Sequence, residues 1–343
     1  MKSKFLTIIL PFLITLNKNY ILGNFLEQVF LKITIFKSWL IKLTDAVPFP
    51  SQKQRFLFIK RIIGIFRLTH FLPVITITTI GATLAYFSLG GFQPILSYLF
   101  IVLTIFFEQS FLGIQNDYLD HKLDAVYEKR KAIVDGWVSV KTAFWSAIIC
   151  FILFTGFSVA LAFYSKIGFW TVVYIQGANL VGLFYNLYAK HKPISLLPYF
   201  LGFPLVPIYI WLNLGGFEMI YLWFLPLIAF VSLPAHIANE LPDIKKDEQN
   251  GLKNFVVTIG KTPATIVYWL GVFLGLLELI ILYFLYEINI WAFLGTIISS
   301  TIFAVGGVVL LWRNNWNTNT LIFNIVTVSI GIQIVGFLTM IHI

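Results

Sequence analysis

Residues Phe71 to Phe107 read FLPVITITTIGATLAYFSLGGFQPILSYLFIVLTIFF, a stretch without one charged side chain. A helix needs about 20 apolar residues to cross about 30 Å of hydrocarbon, because each residue advances about 1.5 Å. The stretch holds two such lengths, and Gly90, Gly91 and Pro94 interrupt it near the middle. It therefore predicts a helical hairpin in a lipid bilayer, where a helix pairs its own backbone polar groups.

The rest of the chain is similarly apolar. Residues of the set AVILMFWYC make up 59% of the sequence and charged residues 11%, whereas a soluble domain carries about 25% charged residues. So few charges cannot cover a surface in water, and we predict an all-α, polytopic integral membrane protein. Nine stretches are long enough to span: 62–88, 93–115, 141–164, 168–189, 194–214, 217–239, 263–284, 288–312 and 318–342.

The basic residues predict the orientation of these spans. Lys and Arg concentrate on the cytoplasmic side of membrane proteins. The connections after the second, fourth, sixth and eighth spans hold nearly all the bases between spans, and the opposite connections hold only Lys166. The bases are Lys122, Lys129, Arg130, Lys131, Lys141, Lys190, Lys192, Lys245, Lys246, Lys253, Lys261 and Arg313. The net charge of +9 thus reflects topology in what we expect to be the cell membrane, and it gives no support to a nucleic-acid partner.

Residues 1–60 differ from the spans that follow. The segment Phe25 to Lys42 places apolar side chains such as Val29, Ile33 and Phe36 along one helical face. This pattern predicts an amphipathic helix at the membrane interface. We therefore divide the chain into an N-terminal extension, 1–60, and a nine-span domain, 61–343.

Nine of the fifteen acidic residues lie in two short segments on the predicted cytoplasmic side. The first acidic segment, 116–135, repeats Asn116, Asp120 and Asp124 every four residues; the second, 239–248, repeats Asn239, Asp243 and Asp247 in the same way. In each segment this spacing predicts one helical face. Like charges repel there unless a cation lies between them, and Mg²⁺ prefers carboxylate and phosphate oxygens. The alternative is that these are solvated acids balanced by lysines.

Two motifs carry a resemblance to a known family. The segment Asn116-Asp117-Tyr118-Leu119-Asp120-His121-Lys122-Leu123-Asp124 resembles the first aspartate-rich motif, NDxxDxxxD, of the UbiA superfamily of intramembrane prenyltransferases. The segment 239–247, followed by Gly251, resembles that family's DxxxD motif and the stretch after it. The resemblance covers residues 61–343 and implies nine helices in a bundle around a central cavity.

The resemblance also implies roles for individual residues. One Mg²⁺ is expected on Asp117, Asp120 and Asp124, of which the first two are also expected to be catalytic, and another on Asp243 and Asp247. Tyr185 is expected to face the allylic carbon of the substrate. The residues expected to bind the diphosphate are Asn116, Arg130, Lys131, Asn239 and one of Lys190 and Lys192.

One loop departs from the family pattern. The family commonly has Arg-Pro-x-Pro-Ser-Gly after the first motif, whereas this chain reads Lys131-Ala132-Ile133-Val134-Asp135-Gly136. The base and the glycine are kept, but both prolines and the serine are lost. Since proline restricts the backbone, we expect this loop to be less rigid than in the family, with the metal ligands unaffected.

The implied activity is the Mg²⁺-dependent transfer of a polyprenyl group from an allylic diphosphate to a lipophilic acceptor within the bilayer. The segment 239–243 is similar to that of members that prenylate aromatic quinone precursors of the dihydroxynaphthoate or hydroxybenzoate type, so we expect such an acceptor. The alternative acceptor is geranylgeranylglyceryl phosphate in ether-lipid synthesis, whose hydroxyl favours a base such as Glu108. An ion-coupled transporter is a third interpretation, but its acids are expected at the membrane midplane.

Overall fold

The computed structural model of the chain describes residues 52–216, 218–286, 290–312, 332–333 and 336–337. The chain divides into two units, Met1–Ile63 and Gly64–Ile343, and the site discussed below lies entirely in the second. The predicted extension, 1–60, falls largely outside the described residues, and its interfacial helix stays a prediction.

Every secondary-structure element among the described residues is a helix and none is a β-strand, which confirms the predicted all-α fold. The helices are α1 Gln52–Leu68, α2 Phe71–Ser88, α3 Ile95–Val126, α4 Val140–Ala162, α5 Trp170–Phe184, α6 Leu196–Gly202, α7 Leu205–Leu214, α8 Phe224–Glu240, α9 Ile244–Gln249, α10 Phe255–Ile259, α11 Lys261–Leu285 and α12 Ile290–Trp312. A π-helical turn, Tyr185–Ala189, follows α5, and 3₁₀ turns at Met219–Trp223 and Leu241–Asp243 flank α8.

The uncharged stretch that opened the sequence forms the predicted hairpin of α2 and α3. The chain reverses at Gly90 and Gly91, whose φ angles of 84° and 71° lie in the left-handed region that glycine adopts without a steric penalty. The Tyr86 hydroxyl donates to the Gln93 carbonyl at 3.0 Å and ties the turn together. Before the hairpin, His70 adopts φ 48° and separates α1 from α2.

Five helical segments among the described residues are long and apolar enough to cross a membrane: Ile95–Val126, Val140–Ala162, Leu196–Leu214, Met219–Gln249 and Lys261–Leu285. Helices also occupy the other predicted spans up to residue 312. The ninth, 318–342, lies mostly outside the described residues, so the count of nine stays a prediction.

Close packing of helices holds the bundle together. Helix α3 packs against α2 and α4, and α8 packs against α6 and α11. Because lipid tails are as apolar as leucine, such helices associate through close contact and small residues at their interfaces. Gly271 on α11 is one of these, since a Cβ atom there would lie 2.7 Å from the Phe230 carbonyl oxygen and 2.7 Å from Pro234 Cδ on α8.

We therefore expect Gly271→Ala to lower the free energy of unfolding by about 1 to 3 kcal/mol, because the added methyl group forces α11 away from α8. Gly156→Ala on α4 is the matched control, since a Cβ atom there meets nothing within 4 Å. Thermal unfolding of both variants in detergent measures the difference. Equal stability of the two variants would contradict the close approach of α8 and α11.

Candidate active site

The first acidic segment begins inside α3, which continues without interruption to Val126. Asp117, Asp120 and Asp124 therefore follow one another at helical spacing on one face, as predicted. All three are buried, with 3%, 9% and 3% of their surface exposed. Buried carboxylates are costly unless they are paired, so the groups facing them decide what this cluster can do.

Three lysines pair with these acids. Lys131 Nζ lies 2.5 Å from Asp117 Oδ1 and 3.4 Å from Asp124 Oδ2. Lys190 Nζ, which follows the π-helical turn, donates to both Asp120 and Asn116. Lys129 Nζ lies 2.9 Å from Asp243 Oδ2 and 3.8 Å from Asp124 Oδ1. A single ammonium group thus joins the two acidic segments.

Charge and burial act on these lysines in opposite directions. Burial alone would lower the pKa of Lys131, but Asp117 and Asp124 more than offset it, so its pKa lies above the ordinary value. Burial dominates at Lys190 and holds its pKa below the ordinary value, although Asp120 opposes this. The pKa values differ because Lys131 faces more carboxylates, whereas Lys190 is more deeply buried and is repelled by the charge of Lys131.

The second acidic segment is not one continuous helix. Helix α8 ends at Glu240, a 3₁₀ turn containing Pro242 follows, and α9 then carries Asp247. Proline lacks the N–H that a helix interior requires. The prediction that Asn239 shares one helical face with the two aspartates is therefore wrong. Asn239 is exposed, and within the described parts of the chain its side chain forms no hydrogen bond.

Asp247 is held by two residues that the sequence reasoning missed. The Tyr127 hydroxyl donates to Asp247 Oδ1 at 2.6 Å, and Asn254 Nδ2 donates to Oδ2 at 2.8 Å. Burial, together with the Asp247 charge, raises the pKa of the Tyr127 phenol, which therefore stays a donor. Tyr127 lies one residue beyond α3, so it is a second link between the two acidic segments.

A buried polar cluster fixes the position of Asn254. Asn254 caps α10 by accepting from the Val257 amide at 2.9 Å. The neighbouring amides of Phe255 and Val256 donate to Ser195 Oγ and Glu240 Oε2 at 3.0 and 3.3 Å. His236 Nε2 lies 3.1 Å from both the Ser195 hydroxyl and a Glu240 oxygen. Glu240 therefore supports the start of α10.

The sequence profile of the UbiA prenyltransferase family matches residues 74–330, which is more than half of the chain. The chain belongs to the UbiA prenyltransferase family. The family resemblance of the two aspartate motifs is thus confirmed, as is the prediction of an enzyme rather than a transporter. The bundle is an integral membrane protein.

Several proteins are similar to this UbiA family member. The digeranylgeranylglyceryl phosphate synthase of Thermococcus sibiricus is 28% identical over 183 residues, which cover 53% of this chain and 62% of that relative. The match thus spans less than two thirds of the relative's length. A structure of a UbiA homologue from Archaeoglobus fulgidus bound to DMAPP and Mg²⁺ superposes with a TM-score of 0.58 at 18% identity. It covers 80% of this chain and 99% of that one.

A further solved structure concerns digeranylgeranylglyceryl phosphate synthase in membranes. It has a TM-score of 0.61 and 17% identity, over 81% of this chain and 97% of that chain. At these identities the likeness shows the fold alone, which is the helical bundle of UbiA homologues.

The remaining residues that the sequence predicts for the site differ in burial and in the groups that they contact. Arg130 and Lys192 are exposed, and Lys192 Nζ lies 5.9 Å from the centre of the Tyr188 ring. Tyr185 lies in the π-helical turn and packs edge to face on Tyr199, with ring centres 5.1 Å apart. Glu108 is buried in α3 and accepts from Gln109 at 2.7 Å. Of the two lysines left open by the sequence, the one at the acids is Lys190.

The donor set of this site fits Mg²⁺. Within the described residues, no three His, Cys, Asp or Glu side chains form a complete metal site by themselves. Mg²⁺ does not require one, because it is usually held by one or two carboxylates, waters and substrate phosphates. Asp124 Oδ2 is buried and, among the described residues, accepts no hydrogen bond, although Lys131 Nζ lies 3.4 Å away. Moreover, three lysines leave two of the five aspartate charges uncompensated, which suits a divalent cation.

We expect Tyr127→Phe to lower the free energy of unfolding by about 1.5 to 3 kcal/mol, because it removes one hydrogen bond to a buried carboxylate. Tyr188→Phe is the control, since Tyr188 is 58% exposed and keeps its ring beside Lys192. Unfolding of both variants in detergent, monitored by circular dichroism, measures the effect. If the two substitutions cost the same, the hydrogen bond from Tyr127 to Asp247 does not join the segments.

Proposed function

We propose that this chain transfers a prenyl group from an allylic prenyl diphosphate to a lipophilic acceptor in a Mg²⁺-dependent reaction. The observation that carries the proposal is the meeting of the two acidic segments at Lys129, within 3.8 Å of Asp124 and 2.9 Å of Asp243. Acids and bases gathered at one end of an apolar bundle suit a substrate with a charged head and a hydrocarbon tail.

The reaction breaks an allylic C–O bond, which leaves negative charge on the diphosphate and positive charge on the allyl fragment. When bound, Mg²⁺ supplies Lewis-acid stabilisation of the departing diphosphate. Asp117, Asp120 and Asp124 would hold one ion, and Asp243 and Asp247 the other. Lys131 and Lys190 bring fixed positive charge to the same place, where it favours the leaving group.

Aromatic side chains near the charged cluster suit the stabilisation of the positively charged allyl fragment. Tyr185 lies one turn before Lys190 in the chain, and its carbonyl accepts from the Lys190 amide at 3.0 Å. The electron-rich face of a tyrosine ring attracts a cation. We therefore assign Tyr185, supported by Tyr199, to stabilising the allyl fragment and excluding water from it.

For the acceptor, we propose the free hydroxyl of an isoprenyl glyceryl phosphate such as geranylgeranylglyceryl phosphate. The sequence similarity to the digeranylgeranylglyceryl phosphate synthase of Thermococcus sibiricus supports this acceptor over the quinone precursor that the sequence suggested. An acceptor with its own phosphate also requires polar groups beyond those on the diphosphate. His70 Nε2 lies 3.9 Å from Asp117 and His191 Nε2 lies 3.6 Å from Asp120, which places two imidazole groups at the edge of the acids.

The acceptor is tested with purified protein, labelled geranylgeranyl diphosphate and Mg²⁺. The panel contains geranylgeranylglyceryl phosphate, dihydroxynaphthoate and hydroxybenzoate, and each product is identified by mass. We expect a Mg²⁺-dependent diether phosphate, which chelation of the metal or Asp243→Ala abolishes. A prenylated aromatic ring would restore the quinone precursor as acceptor. Absence of any acceptor-dependent product would contradict prenyl transfer.

The two lysines after the π-helical turn provide a matched pair of variants. Lys190→Gln is expected to raise KM for the prenyl diphosphate about tenfold or more, because a charge-assisted contact to an anion contributes about 1.5 to 3 kcal/mol. Lys192→Gln should change KM less than twofold, since Lys192 is exposed against Tyr188. Steady-state kinetics with varied diphosphate measure both. The reverse order of effects would show that Lys192 is the residue that binds the diphosphate.

A further inference from the structure

The connection between α3 and α4 carries Lys131 to the acids without being helical itself. Its backbone folds into turns, with the Asp135 amide donating to the Lys131 carbonyl at 2.8 Å and the Trp137 amide donating to the Ala132 carbonyl at 2.9 Å. Both bonds lie within the connection, and neither ties it to the helices. Since residues 131–136 contain no proline, the direction in which Lys131 points depends on contacts with the rest of the protein. Burial of Ala132 and Ile133 and the bond from the Lys129 amide to the Asp124 carbonyl are two of these contacts.

Arg67, in the last turn of α1, contacts this connection at three places. Its Nη2 donates to the Arg130 carbonyl at 2.7 Å, and its Nη1 donates to Asp135 Oδ2 at 3.2 Å. The guanidinium carbon lies 4.5 Å from the centre of the Trp137 ring. These contacts lie on both sides of Lys131, one residue before it and four and six residues after it.

The backbone of α1 also approaches this connection closely. A Cβ atom on Gly64 would lie 2.8 Å from Val138 Cγ2 and 3.0 Å from Trp137 Cβ. Only glycine permits this approach without displacing a neighbour. Gly64 and Arg67 are three residues apart and therefore share one face of α1. Two positions of that face, Gly64 and Arg67, therefore contact the connection.

The geometry of Arg67 suits positioning more than stability. The ion pair with Asp135 is partly exposed, with 33% and 19% of the two side chains accessible, and such pairs contribute little stability. A guanidinium group, however, is a planar fork that fixes two acceptors relative to each other. A lysine in its place would keep the charge but would not hold both acceptors.

We propose that Arg67 is a positioning residue, which clamps the connection after α3 so that Lys131 stays on Asp117 and Asp124. The side chains of Asp135 and Trp137 form the other side of the clamp. The clamp thus restricts the backbone of this connection, which prolines would do if residues 131–136 contained any. Its effect on catalysis rests on the proposed function, whereas its effect on the connection does not.

Hydrogen–deuterium exchange of the full-length protein tests the clamp directly. Arg67→Ala is expected to speed exchange of the Asp135 and Trp137 amides about tenfold or more, and Arg67→Lys should do so to a smaller extent. Arg61→Ala is the matched control, because Arg61 is exposed on the same helix and forms no hydrogen bond among the described residues. Unchanged exchange in folded Arg67→Ala overturns the proposal. If Arg67→Ala does not fold, Asp135→Asn and Arg67→Lys decide it in the same way.

Kinetics then test whether the clamp acts through Lys131. Arg67→Ala should raise KM for the prenyl diphosphate roughly tenfold, by analogy with residues that support metal ligands, whose loss costs about 10- to 100-fold in affinity or activity, with a smaller change in kcat. In the Lys131→Met background, Arg67→Ala should raise KM less than twofold further. Additive effects overturn the role of Lys131. A wild-type protein without prenyl transfer refutes the proposed function, whereas the exchange result still decides the clamp.

Discussion

The site depends on the pairing of buried carboxylates with lysines. Asp117, Asp120 and Asp124 are almost fully buried near the end of a long apolar helix, where an unpaired carboxylate is costly. Each of them faces an ammonium group that arrives from elsewhere in the chain. Lys131 and Lys190 come from different connections, so both connections must be in place before α3 can keep its acids. These ion pairs thus link the acids of α3 to the two connections that carry Lys131 and Lys190.

The membrane-spanning helices could be predicted from the sequence because the thickness of the bilayer sets their minimum length. A helix must cover about 30 Å of hydrocarbon, so charge-free runs such as 71–107 indicate helices whatever their order. The common face of the acids in the first acidic segment could also be predicted, since α3 stays helical past Asp124 and residues four apart share a face. The same rule gave a wrong prediction for Asn239 in the second acidic segment, because a 3₁₀ turn that contains Pro242 interrupts the α-helix after Glu240.

Contacts between distant residues were beyond the reach of sequence reasoning. Nothing in the local sequence distinguishes Lys190 from Lys192, because their difference depends on where the π-helical turn places each side chain relative to α3. Tyr127 reads as one more aromatic residue after the first motif, yet its hydroxyl reaches Asp247, 120 positions later. Arg67 lies 68 residues before its partner Asp135. Spacing rules apply within one element, and these contacts join separate elements.

Lys131 and Lys190 lie where buried carboxylates need a positive charge beside them. A divalent ion would bind two carboxylates more strongly than an ammonium group does. The oxygens of a bound diphosphate would then be a second anionic partner for that ammonium group. In the proposed reaction, Lys131 and Lys190 would pair with the diphosphate oxygens from the positions that they already hold beside the acids. Two Mg²⁺ ions and one diphosphate change the total charge by only about one unit, so their binding would leave the buried site nearly as balanced as before. The proposed clamp at Arg67 would keep the backbone of Lys131 beside the acids throughout.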